Sequence, residues 1–137
     1  MEYHKIETLF ERDEKFKVTN KLKMPVINTI KEWHVTEKID GTNIRMMLDV
    51  EGKVTVGGRT DNASIPASLL QVLFPMFPAE KMKEAFWLEG KPVAAVLYGE
   101  GYGAGIQKGG GNYNKDKSFR LFDVLIDGKW WLDWENT

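Results

Sequence analysis

The stretch Glu37-Lys38-Ile39-Asp40-Gly41-Thr42-Asn43 places an amine, a carboxylate, a position without a side chain and an amide within a few residues of one another. An unperturbed lysine is protonated at neutral pH and is a poor nucleophile until burial or nearby cations lower its pKa. At a strand end, ahead of a glycine that lets phosphates approach the backbone, such an amine can attack phosphorus. Asp40 is then available to orient the amine or a metal ion, and Asn43 to bond a ribose hydroxyl. A solvated lysine beside a surface hairpin has the same local pattern, and only residues further along the chain distinguish the two.

The elements that must position this stretch are legible along the chain. Residues 6–10 read as a helical start and 33–38 (WHVTEK) as a short strand. Residues 41–50 (GTNIRMMLDV) read as a second strand with mixed faces. Glu51-Gly52 then turns the chain, and 53–56 (KVTV) returns antiparallel, ended by Gly57-Gly58. Apolar positions at helical spacing over 66–74, with a proline at the start, predict a helix broken by Pro75 and Pro78. Residues 79–90 predict another helix, with Gly90 as its C-terminal cap. A buried strand follows over 91–100, a glycine-rich loop over 101–113 and a strand over 118–126. Asp127-Gly128 is a hairpin signal with KWWLDW as its return. Antiparallel strands with an inserted helical pair make the class α+β rather than alternating βαβ.

Composition narrows the chemistry. The 137 residues suit one domain, and 42% hydrophobic with 28% charged residues argues against wholesale disorder. With no cysteine there are no disulfides, zinc–thiolate sites or thiol nucleophiles, which fits a reducing, cytoplasmic setting. Only His4 and His34 are present, which argues against a multi-histidine metal site or a histidine-based triad. No apolar run approaches a membrane span, and no leader opens the chain, so a soluble protein is expected. Net charge is −1, which gives no global sign of a nucleic-acid binder. Locally, Lys15, Lys17, Lys21, Lys23 and Lys31 occur without an intervening acidic residue. A solvated edge is the simpler reading of that strip, and a track for phosphates the alternative.

Two patterns mislead. GEGYGA, 99–104, matches a loose dinucleotide fingerprint, but GIQKGGGNY comes next and cannot open the helix that such a site needs. Trp130, Trp131 and Trp134 are expected in hairpin and core packing rather than as a stacking platform.

Taken together, EKIDGTN and four further stretches resemble the covalent nucleotidyltransferases: ATP-dependent DNA ligases, RNA ligases and mRNA capping enzymes. The chain is most similar to the phage RNA ligase 2 family. The lysine signature K-x-D-G is met at Lys38. The opening YHKIETLFERD resembles that family's N-terminal segment. GGRT, 57–60, lies where the family places an arginine. LYGEGYGAGIQKGGGNY, 97–113, and FRLFDVLIDGKWW, 119–131, resemble its Y-G-E and F-D-[IV] motifs. The order and rough spacing of all five agree across nearly the whole chain.

The resemblance implies a nucleotidyltransferase (ATP-grasp-like ligase adenylation) fold that uses ATP and Mg²⁺. Lys38 would attack the α-phosphate and become lysyl-AMP. Glu37 and Ile39 would line the adenine side, and Asn43 and Arg59 would contact sugar and phosphate. Glu100 would bind ribose or a metal, with Asp40 a further metal candidate, and Phe122 would stack on adenine. The partners implied are RNA ends, with DNA ends as the alternative. Asp40 stands where RNA ligase 2 members often carry histidine and DNA ligases carry aspartate, so that position does not choose the substrate.

The family's later motifs, E-G-x-V and a K-x-K pair, are not found after FDV. Lys115 and Lys117 form a K-x-K that precedes it and read as loop lysines. Residues 1–137 are therefore expected to be the N-terminal part of an adenylation domain, with slow or absent self-adenylylation unless an oligomer or a further segment supplies the missing lysines. Two other readings stay open: a non-catalytic remnant that binds nucleotide or nucleic acid, and a plain interaction domain.

Overall fold

Alternation along TNIRMML separates two environments. Ile44, Met46 and Leu48 are buried in an apolar core, while Asn43, Arg45 and Met47 occupy the intervening positions on the other face. In the computed structural model, which describes residues 1–137, the chain forms two compact units. The smaller is His4–Lys38. The larger comprises Met1–Tyr3 and Ile39–Thr137.

The smaller unit is an antiparallel hairpin of β1 (Phe10–Arg12) and β2 (Val18–Leu22), followed by a turn of 3-10 helix over Pro25–Thr29. Leu9, Leu22, Ile27, Asn28, Ile30 and Trp33 line a shallow cleft of about 180 Å³.

The larger unit contains β3 (Thr42–Leu48), β4 (Val54–Gly57), α1 (Ala67–Met76), α2 (Ala79–Ala85), β5 (Trp87–Leu88), β6 (Lys91–Pro92), β7 (Ala95–Tyr102), β8 (Ser118–Ile126) and β9 (Trp130–Trp131). Five of its strands form one antiparallel sheet in the order β4-β3-β7-β8-β9, and β5 and β6 form a separate hairpin. The register of β3 on β7 runs from Thr42 opposite Gly101 to Leu48 opposite Ala95. Between β7 and β8 the register shifts: Tyr98 faces Asp123 while Gly99 faces Leu121, so Phe122 is the extra residue of a β-bulge. Leu69 and Leu73 of α1 and Met82 of α2 join Ile44, Met46, Leu48, Ala95, Leu97, Phe119 and Val124 in one core. Phe77 packs edge-on against Phe119 with centroids 5.1 Å apart.

The α+β class with antiparallel sheets and two helices is as expected. Four local expectations are corrected. Residues 6–10 are not helical: Ile6 and Leu9 are exposed, and Phe10 enters β1 opposite Leu22. Residues 33–38 carry no strand, because no neighbouring segment pairs with them, and Val35 is exposed. Pro75 lies inside α1 rather than ending it, and the chain leaves the helix at Phe77, whose N–H still reaches the Leu73 carbonyl. Gly90 does not cap a helix. α2 stops at Ala85, and Glu89 and Gly90, both at positive φ, turn β5 into β6. The aspartate–glycine hairpin uses the same device, with Asp127 and Gly128 both at positive φ. No helix is long and apolar enough to cross a membrane.

Leu73 is fully buried between α1 and the sheet. Leu73→Ala is expected to cost about 2–5 kcal/mol through lost transfer energy and the cavity left behind, read from the midpoint of urea unfolding.

Candidate functional site

Gly41 is gripped on both sides of its backbone. Its N–H donates to Glu100 Oε1 at 3.1 Å, and its carbonyl accepts from Gln107 Nε2 at 3.0 Å. A Cβ at Gly41 would meet the Gly101 carbonyl oxygen and the Glu100 side chain, so glycine is the residue that fits. The grip follows from sheet register. Asn43 lies opposite Glu100, which puts their side chains on one face just beyond the turn at Gly41. The Y-G-E stretch and the adjoining glycine-rich loop thus both hold the backbone of the lysine motif.

Asn43 brings an unusual group to this face. Its Oδ1 is buried and accepts no hydrogen bond from the protein. A buried acceptor left in that state is costly.

Two residues further along β3, the Arg45 side chain is 1% exposed. Its Nε donates to the Gly58 carbonyl at 2.7 Å and its NH2 group to Asp61 Oδ1 at 2.8 Å. The segment that carries Arg59 is thereby fastened to the sheet, while the Arg59 side chain itself is exposed. The hydrogen bond from Arg45, and then its charge, hold the Asp61 carboxyl below the usual carboxylate range.

The bulge in β8 presents Phe122 and Asp123 together opposite Tyr98. Tyr3 closes over them. Its hydroxyl donates to Asp123 Oδ2, and its ring packs edge-on against Phe122 at 5.2 Å and tilted against Tyr98 at 5.0 Å. Burial, the hydrogen bond to Asp123 and that carboxylate's charge push the Tyr3 phenol well above its ordinary range. Tyr98 donates to the Met1 carbonyl at 3.0 Å. Burial raises its phenol too, with the Arg45 charge working against burial and Asp123 adding to it. Trp131 packs tilted against Tyr98 with centroids 5.4 Å apart, and Trp130 and Trp131 both lie in the hairpin strand as expected, but all three tryptophans are exposed and none is in the core.

Ile39, Asp40, Asn43, Arg59, Glu100 and Phe122 all belong to the larger unit, and Glu37 and Lys38 are the last residues of the smaller one. The side chains of Glu37, Lys38 and Asp40 are exposed. No three histidine, aspartate or glutamate side chains converge to hold a metal ion. Gln107, Arg45, Tyr3 and Asp123 were not singled out by sequence reasoning. Arg45 had a signal, a cation between Ile44 and Met46 in an apolar strand. Gln107 lay within a recognised stretch, and nothing local marks Tyr3.

A family model described as RNA ligase matches residues 31–137. The chain belongs to the RNA ligase family. No match was found among curated proteins.

Two outcomes test the geometry. Glu100→Ala is expected to speed amide hydrogen exchange at Gly41, whereas Glu100→Gln, which keeps an acceptor oxygen, preserves protection; equal exchange in both would contradict the grip. Asp61 has a depressed pKa in the folded state, so its contribution to stability is present above its unfolded value of about 3.9 and is lost as pH falls through the folded value. Asp61→Asn is expected to flatten that part of the stability profile, measured as urea midpoints from neutral pH downward.

Proposed function

We propose that the chain is the catalytic part of an ATP-dependent RNA ligase of the phage RNA ligase 2 type, built on a nucleotidyltransferase fold. The observation that carries this reading is the backbone of Gly41 held between Glu100 and Gln107, beside the unpartnered Asn43 Oδ1. Three separate stretches of an RNA ligase family member meet there.

In this reading the Lys38 amine attacks the α-phosphorus of ATP. The N–P bond forms as the bond to pyrophosphate breaks, and lysyl-AMP results. AMP then passes to the 5′-phosphate of an RNA end, freeing Lys38. A 3′-hydroxyl attacks that activated phosphate and expels AMP. Phosphoryl chemistry of this kind depends on in-line placement and charge neutralisation more than on acid–base groups.

Gly41 lets the chain pass against the Gly101 carbonyl, where a Cβ would not fit, and its fixed amide sets the path of the lysine motif into β3. Asn43 Oδ1 accepts from a ribose hydroxyl. Phe122 stacks on adenine, a contact worth about 1–3 kcal/mol per base in nucleic-acid sites. Glu37 and Ile39 flank the base, and Arg59 contacts sugar and phosphate. Glu100 has two duties, fixing Gly41 and facing ribose or metal. Asp40 or Glu100 would hold a Mg²⁺ ion together with the phosphates, and the ion would supply neutralisation of the charge that develops there.

Prolonged incubation with ATP and Mg²⁺ followed by intact mass measurement is expected to show a slowly accumulating single AMP adduct on the wild-type chain and none on Lys38→Ala. ATP binding without any adduct, both on residues 1–137 and on a longer chain that carries E-G-x-V and K-x-K, would replace this reading with that of a nucleotide-binding module.

A further inference from the structure

The same turn occurs twice in this molecule, once with an unexpected residue. In Asp49–Lys53 the Asp49 N–H donates to the Lys53 carbonyl and the Gly52 N–H to the Asp49 carbonyl, while Asp49 Oδ1 accepts from the amides of Glu51 and Lys53. In Asp13–Lys17 the corresponding four bonds recur: Asp13 N–H to the Lys17 carbonyl, Phe16 N–H to the Asp13 carbonyl, and the amides of Lys15 and Lys17 to Asp13 Oδ1. The fourth position of each turn is left-handed. At φ 81° it is Gly52 in the first turn, and at φ 60° it is Phe16 in the second. Glycine adopts that conformation without strain, whereas a bulky side chain there is a costly outlier. An apolar ring can offset such strain by being buried, yet Phe16 is 78% exposed.

The residues on either side of the ring are lysines, on a tip whose charges balance overall. Arg12 donates to the Phe16 carbonyl at 2.8 Å, an added tie that the other turn lacks. Lys15 and Lys17 flank the ring, are exposed and make no ion pair, whereas Lys21 is paired with Glu11 and Lys23 with Glu7. Asp13, whose Oδ1 is occupied by the turn, and Glu14 supply the opposing charge. An exposed aromatic face between unpaired lysines, on a tip made rigid by its own hydrogen bonds, suits a base that stacks and phosphates that follow its backbone.

We propose that the β1–β2 hairpin tip is a docking site for single-stranded RNA, with Phe16 stacking on a base and Lys15 and Lys17 contacting the flanking phosphates. The tip lies upstream of residues 31–137, so the family match does not supply this role. It rests on RNA as the substrate but not on chemistry at Lys38.

The test is fluorescence anisotropy of the full chain with a short labelled single-stranded RNA, without nucleotide, over a salt series. Phe16→Gly relieves the strained position, so its thermal midpoint is expected to equal or exceed that of wild type, while affinity falls about five-fold or more through loss of a base stack. Replacing both Lys15 and Lys17 by alanine is expected to reduce the salt-dependence slope by about 1.4, from two phosphate contacts on a single strand. Affinity of Phe16→Gly within two-fold of wild type, or an unchanged slope in the double-lysine variant, overturns the proposal. So does RNA affinity that is insensitive to both changes together with binding to phosphatidylserine vesicles that is sensitive to them, which would make the tip a membrane contact. A chain that forms no AMP adduct but shows these RNA effects would refute the covalent reading and leave the docking site standing.

Discussion

The antiparallel register of β3 on β7 is the constraint on which the candidate site depends. It sets Asn43 opposite Glu100 and brings the Glu100 carboxylate to the Gly41 amide. Side chains in a strand alternate, so a slip of one residue would send Ile44, Met46 and Leu48 out of the core and turn Glu100 away from the turn. Each of those buried apolar side chains contributes roughly 1.5–3 kcal/mol. The energy that fixes the polar face is therefore supplied by the apolar face. Glycines make the fit possible at both ends of the contact. A Cβ at Gly101 would strike Leu69 of α1 and Ile44, and one at Gly41 would strike the Gly101 carbonyl. Helix, central strand and lysine motif are stacked with no space for a methyl group between them.

The face that carries Asn43 also has a polar anchor, Arg45. Burying the Arg45 guanidinium carries a desolvation penalty, offset by the Gly58 carbonyl and the surface carboxylate of Asp61. Because Asp61 stands in water, the pair keeps one member solvated, and the cost is smaller than for two buried ions. The consequence is mechanical. The Gly57-Gly58-Arg59 segment cannot drift from β3 without stranding a buried cation, and Arg59 is carried on a fixed base even though its side chain is free to move through solvent.

Legibility in the sequence followed the range of the interactions concerned. β3, β4, β8 and the hairpin at Asp127-Gly128 were readable because alternation and turn chemistry are local. Helix α1 was readable from its apolar spacing, but its passage through Pro75 was not. A proline near the last turn removes a donor without breaking the bonds that remain. WHVTEK has the alternation of a strand, and what it lacks is a partner, which no single segment can reveal. Residues 6–10 show helical spacing without an apolar partner to bury it. Among the site residues, Asn43 and Glu100 were named separately, while their pairing across strands came from register. Tyr3 was invisible because its partners Phe122 and Asp123 are more than a hundred residues away.

That distance bears on how the chain reaches its native state. Tyr98 and Met1 are 97 positions apart, and Tyr3 and Asp123 are 120 apart. Residues 4–38 form an excursion that leaves the larger unit and returns to it. During synthesis, Met1–Tyr3 emerge long before the strands that receive them, so docking of this segment waits for β7 and β8 to form. Contacts of such high sequence separation close late and add a slow, topology-limited step to folding. The ring that packs on Phe122, Tyr98 and Trp131 is thus supplied from the opposite end of the chain, and the first three residues help close a cluster built by the last strands of the sheet.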